Sequence, residues 1–167
     1  MNDAELGPLR DRVQTLERRL RDRRLADAYA RFYAPMAVLG AVLAFLPIFD
    51  DVVVKDGTST YHATYGTLWE MAAQDGGGPA VVGLLLVGGL IVLFGLGAFG
   101  KGGPALGWGV VTIAALIVLM LLTKPGTGTP APDLSIAGAA GLGLAFAALV
   151  IGAIQGFQGL WRPEEAH

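Results

Sequence analysis

Outside the N-terminus, titratable groups gather in one stretch, residues 50–78, which holds Asp50, Asp51, Asp56, His62, Glu70 and Asp75. An imidazole among carboxylates is the raw material of a metal centre or an acid–base pair. The spacing supports neither. There is no HExxH pair, no EF-hand ligand series and no second histidine nearby, the other being His167. Cysteine is absent, which excludes a disulfide scaffold, a thiol nucleophile, a haem attachment motif and a Cys-rich zinc site. The chain is rich in glycine, yet it has no GxxxxGK[ST] phosphate loop and no GxGxxG set between a strand and a helix. No Ser–His–Asp arrangement is visible. The expectation is therefore a solvated acidic face, with no catalytic residue, cofactor, metal or small-molecule substrate. An enzyme built on these carboxylates with His62 is the weakest reading.

The elements that would position these groups are apolar. Of 167 residues, 53% are hydrophobic and 16% charged, with a mean hydropathy of +0.55. An ordinary soluble domain is about 45–50% apolar and about 25% charged. Four runs, at about 32–49, 79–100, 105–122 and 136–161, contain no Asp, Glu, Lys, Arg or His. A helix needs roughly 20 apolar residues to cross about 30 Å of hydrocarbon. The expected fold is an all-α integral membrane protein with four transmembrane helices in residues 32–161. A cytoplasmic N-terminal amphipathic or coiled-coil helix (1–31) precedes them, an outer loop (50–78) forms a small cap, and a cytoplasmic tail (162–167) follows. The first run reads as a retained anchor rather than a signal peptide, because about 30 helix-forming residues precede it and no small-x-small site follows.

Charge placement sets the orientation. Arg10, Arg12, Arg18, Arg19, Arg21, Arg23, Arg24 and Arg31 precede the first run, and Lys101 and Arg162 fall on the same side, against only Lys55 and Lys124 opposite. By the positive-inside rule both termini are cytoplasmic and the protein is multi-pass in a plasma (inner) membrane. The Arg-, Ala- and Gly-rich composition suggests a bacterial source.

Polar groups within the runs are sparse: Thr112, expected to bond its own helix's carbonyl, and Gln155 and Gln158, which either bond across helices or reach the interface. The absence of ionisable groups argues against a monomeric proton or ion pathway. Small residues instead recur at helical spacing. Ala148, Gly152 and Gly156 form one stripe, Ala137, Gly141 and Ala145 another, with Gly89 and Gly97 in the second run and Gly107 and Ala115 in the third. Such stripes let helices pack closely, within this bundle or against another subunit.

In the N-terminal segment, Leu6, Leu9, Val13, Leu16 and Leu20 follow the 3,4 spacing of a coiled-coil seam for about two heptads. Two readings fit: a self-associating or partner-docking coil, or an amphipathic helix lying on the inner leaflet with its arginines at the headgroups. Acidic residues interleave with the arginines and no recognition module accompanies them, so nucleic-acid binding is not expected. Pro35 is expected to end or kink this helix near Tyr33.

In the outer loop, Val52–Val54 and Ser59–Ala63 flank an Asp56-Gly57 turn signal and predict a short hairpin. Thr67 and Glu70 form a capping box for a helix from Leu68 to about Gln74. That helix is expected to lie at the outer surface with Trp69 in the headgroup belt. Tyr61, Tyr65 and Trp69 could dock a partner's outer domain or simply pack the cap.

These features point to a non-catalytic membrane protein that acts by association, as an accessory or assembly subunit of a larger complex or as a homo-oligomer. Its partners would be membrane lipids and either another membrane protein or itself. Leu9, Val13, Leu16 and Leu20 would carry the inner contact and Tyr65 with Trp69 the outer one. Ala148, Gly152 and Gly156 would pack the helices. The alternative is an oligomeric pore or lipid-handling protein with Asp50 and Asp51 at the outer mouth.

Overall fold

The computed structural model describes residues 3–56, 59–74, 77–100, 103–123 and 132–160. The segments 124–131 and 161–167 lie outside the described residues, as do Asp75 and Lys101 and the side chains of residues 3–11. The chain is mostly helical. Its elements are α1 (Asp3–Leu43), β1 (Val52–Asp56), β2 (Ser59–Ala63), α2 (Leu68–Ala72), α3 (Gly78–Ala98), α4 (Pro104–Thr123) and α5 (Ile136–Leu160).

Three helices, α3, α4 and α5, are long and apolar enough to cross a membrane. Their bounds lie within a few residues of the hydropathy runs. Only 28%, 28% and 22% of their apolar windows is buried within the protein. Leu85, Val92, Leu119, Leu122 and Val150 all face outward. Apolar surface of this extent is stable only against lipid or another protein. This is a membrane protein.

The first run corrects two expectations. The helix does not stop at Pro35: α1 runs from Asp3 to Leu43, past the expected boundary at residue 31. Nor does it continue to Phe49; Ala44–Phe49 is a turn followed by two isolated bridges. Pro47 explains the end, because a proline ring collides with the carbonyl four residues back, and that residue is Leu43. Beyond the helix the backbone finds other partners. Pro47 bridges Thr67, Phe49 bridges Leu134, and the Asp50 amide donates to the Asp133 carbonyl at 2.9 Å. Pro35 removes one amide donor to the Arg31 carbonyl, and the packing of Tyr33 and Met36 into the core keeps the helix whole. The apolar helical part, Phe32–Leu43, is about 18 Å long at 1.5 Å per residue.

The four long helices form a ring. Among the described residues α1 touches α3 and α5, α4 touches α3 and α5, and the diagonal pairs do not meet. The α4–α5 contact is the largest and α1–α5 the smallest within this ring. Tyr33, Met36, Leu90, Phe94, Val110, Ala114, Ile117, Leu121, Ala145 and Ala148 fill the interior.

Between α1 and α3, β1 and β2 pair antiparallel with Val52 opposite Ala63 and Asp56 opposite Ser59. Asp56 therefore ends a strand rather than sitting in the turn, and Gly57-Thr58 lies outside the described residues. Next, α2 has the full capping box: the Thr67 amide donates to Glu70 Oε2 at 2.7 Å and the Glu70 amide to Thr67 Oγ1 at 3.3 Å. It ends at Ala72, two residues before the expected Gln74. Gly66 just before it has φ +62°, and a Cβ there would strike the Glu70 carboxylate.

Candidate functional site

Among the described residues no three His, Asp or Glu side chains come close enough to share a metal ion. Asp50, Asp51, His62 and Glu70 are all exposed. Among the described residues the fold builds contact surfaces and a cavity.

The α4–α5 crossing is made of backbone. A Cβ on Gly107 would lie 2.7 Å from both the Gly152 carbonyl oxygen and the Gly156 amide nitrogen. One on Gly152 would lie 2.8 Å from the Gly107 carbonyl oxygen, and one on Gly156 2.9 Å from the Trp108 ring. Ala148 is fully buried beside them. The stripe Ala148, Gly152 and Gly156 thus faces α4, where small side chains allow the two backbones to touch. Trp108 packs edge-on to Phe157, centroids 5.2 Å apart, and Thr112 Oγ1 donates to the Trp108 carbonyl at 3.0 Å.

The α1–α5 seam is thin and held by hydrogen bonds at both ends. At one end Tyr33 Oη donates to Gln155 Oε1 at 2.5 Å, and Gln155 Nε2 donates to the Gly103 carbonyl at 3.3 Å. One turn away Tyr29 Oη donates to Gln158 Oε1 at 2.6 Å. Burial raises the Tyr29 pKa above its ordinary value of 10.0, which keeps the phenol a neutral donor. Tyr29, Tyr33 and Phe94 stack in sequence. Tyr33 also fills the space left by Gly97. At the other end Ser135 Oγ donates to the Pro47 carbonyl at 2.5 Å and accepts from the Gly138 amide at 3.0 Å, so it caps α5 while binding the chain that follows α1. Sequence reasoning missed this residue, although a serine directly before an apolar run is an N-cap signal. It also missed the tyrosine–glutamine pairs, whose partners are more than 120 residues apart in the chain.

Between these clamps, nearer the Ser135 end, lies an apolar cavity of about 70 Å³. Gly40, Leu43, Leu68, Phe94, Met120 and Gly141 are among its lining residues. Among the described residues no polar or charged side chain lines it. The second stripe, Ala137, Gly141 and Ala145, borders this space, and a Cβ on Gly141 would meet nothing within 4 Å.

Beside the Ser135 end Trp69 stacks on Phe45, centroids 5.9 Å apart, and stays 51% exposed. Tyr65 packs edge-on to Phe49, at 6.1 Å, and is half-buried. The two predicted outer residues therefore face separate aromatic neighbours on the chain that follows α1. The Tyr61 side chain lies outside the described residues.

On α1, Val13, Leu16 and Leu20 are 52%, 58% and 56% exposed. The side chain of Leu9 lies outside the described residues. Arg12, Glu17, Arg21, Arg23 and Arg24 are exposed around this row. No protein-family model, curated protein or solved structure matches the chain.

Proposed function

We propose that this is a non-catalytic membrane protein acting by association, as an accessory or assembly subunit or as a homo-oligomer. One observation carries the reading. A row of aliphatic side chains, Val13, Leu16 and Leu20, stands exposed on a helix continuous with the membrane domain. Three such residues on one face are a contact surface in want of a partner. In the same reading Phe32–Leu43 is a fourth, short span completed by Ala44–Phe49, and the N-terminus is cytoplasmic, where the arginines favour it. The β1–β2 pair and α2 form the outer cap, and the Trp69–Phe45 pair offers a second contact there.

The test is the native mass of the full chain in mild detergent, with co-migrating chains identified. A complex lost on Val13→Asp with Leu16→Asp, while membrane insertion persists, supports the reading. A complex that survives both substitutions, or a monomer throughout, overturns it.

A second reading, lipid handling, is favoured by the cavity. Its apolar lining suits an acyl chain and offers a dehydrated ion no ligands. Gly141→Leu would fill it, and lipid retained through delipidation should then fall. Unchanged retention would dismiss this reading, and cation flux lost on Asp50→Asn with Asp51→Asn would favour an oligomeric pore instead.

A further inference from the structure

We infer that the exposed row on α1 is the seam of a parallel, in-register coiled-coil dimer formed with a second copy of this chain. The inference rests on the association reading and names its partner. In the heptad register Leu6, Val13 and Leu20 occupy a, and Leu9 and Leu16 occupy d. Position g then holds Glu5, Arg12 and Arg19, and position e holds Arg10, Glu17 and Arg24. In a parallel pair each g faces the e of the other strand five residues on. The first two such pairings, Glu5 with Arg10 and Arg12 with Glu17, join opposite charges. The third, Arg19 with Arg24, sets like charges together where the seam itself ends, at Arg23 in d and Asp27 in a. Attraction and apolar contact stop at the same turn, so the sequence specifies a coil of limited length that opens towards the membrane.

The parallel sense follows from the fold. Helix α1 is unbroken from Asp3 into the core around Tyr33, and the Tyr29 and Tyr33 hydroxyls fasten it to α5. Two copies inserted the same way in one bilayer therefore carry their α1 segments in the same direction. The seam lies about 13 Å (Leu20) to 24 Å (Val13) along the helix from the Tyr29 clamp, at 1.5 Å per residue. That places it beyond the headgroups, which disfavours the surface-helix alternative. Two heptads alone make a weak coil in solution. Confinement to one membrane raises the effective concentration of the second strand, and a short seam then suffices.

The chain has no cysteine, so single-cysteine variants of the full protein, oxidised in native membranes, test this directly. Val13→Cys, Leu16→Cys and Leu20→Cys should each give disulfide-linked dimers, while Gln14→Cys and Arg21→Cys, on the outside of the coil, should not. Arg12→Glu in the Leu16→Cys background should lower the dimer yield roughly tenfold, by placing glutamates opposite each other in both symmetric pairs. Adding Glu17→Arg should restore it. Uniform cross-linking along the helix, or failure of the charge swap to restore it, overturns the proposal. Absent cross-links with a different co-migrating chain released by Val13→Asp with Leu16→Asp would sink the second copy as partner and leave the association reading standing. A monomer in every measurement would sink both.

Discussion

Against α4, α5 presents Ala148, Gly152 and Gly156, and the two backbones come into van der Waals contact without an intervening side chain. Against α1, the same helix makes few contacts and relies on Gln155, Gln158 and Ser135 to bind Tyr33, Tyr29 and Pro47. In lipid, apolar surface gains little by leaving its surroundings, so helices associate through close packing or through hydrogen bonds. This protein uses one device on each face of a single helix. Packing tolerates no added atoms, because backbone cannot move aside. Hydrogen bonds leave room between them, and the cavity occupies that room. The two seams should therefore fail differently.

The largest effect is expected at the packed seam. Gly107→Leu would drive a side chain into the Gly152 carbonyl and the Gly156 amide, neither of which has a rotamer to yield. Overpacking of ordinary cores costs about 1–3 kcal/mol, and a rigid backbone wall puts this variant at or above the upper end. Thermal unfolding in detergent should show a large fall in Tm; an unchanged Tm would mean that the α4–α5 contact is looser than described. Tyr33→Phe tests the other seam. It removes one interhelical hydrogen bond and keeps the ring that fills Gly97, so the expected loss is about 1 kcal/mol. Cross-linking between α1 and α5 should become less efficient before the fold is lost.

The packed seam was largely legible in the sequence and the clamped one was not. Long apolar runs located α3, α4 and α5, and the spacing of Ala148, Gly152 and Gly156 marked a helix-contact face, because both signals are local and periodic. The Thr67–Glu70 capping box was legible for the same reason. Tyr33 and Gln155 are joined only by the fold, and nothing in either neighbourhood announces the other. The two prolines show the limit most sharply. Both disfavour helix by the same local chemistry, yet α1 passes through Pro35 and stops ahead of Pro47. What separates them is tertiary: past Pro35 the helix buries Met36 and packs Gly40 on Ile91, whereas past Leu43 the chain bridges to Thr67 and Leu134 and hydrogen-bonds to Asp133 and Ser135.

A smaller, local effect is expected where α2 closes the Ser135 end of the clamped seam. Thr67→Ala removes one side of the capping box, worth about 1 kcal/mol to this helix. Because α2 has only five residues, the change should appear as faster amide exchange at Glu70 and Met71 with little shift in global Tm. Equal exchange in both proteins would show that Leu68, buried at the cavity edge, holds α2 in place without its cap.

The smallest effect sharpens the contrast most, because one methyl group is added in each region with opposite sign. At Gly107 the methyl carbon of Gly107→Ala would meet backbone atoms at 2.7 Å, and the helices must part. At Gly141 the methyl carbon of Gly141→Ala meets nothing within 4 Å. The gain there is the lower backbone entropy of alanine in a helix, about 0.5–1 kcal/mol, together with slight filling of the cavity. Gly141→Ala should therefore leave Tm unchanged or raise it by a few degrees, while Gly107→Ala lowers it. If both variants lose stability, the Ser135 half of the α1–α5 seam closes more tightly than its cavity implies. If both are neutral, the α4–α5 crossing has slack, and the two faces of α5 do not differ in kind.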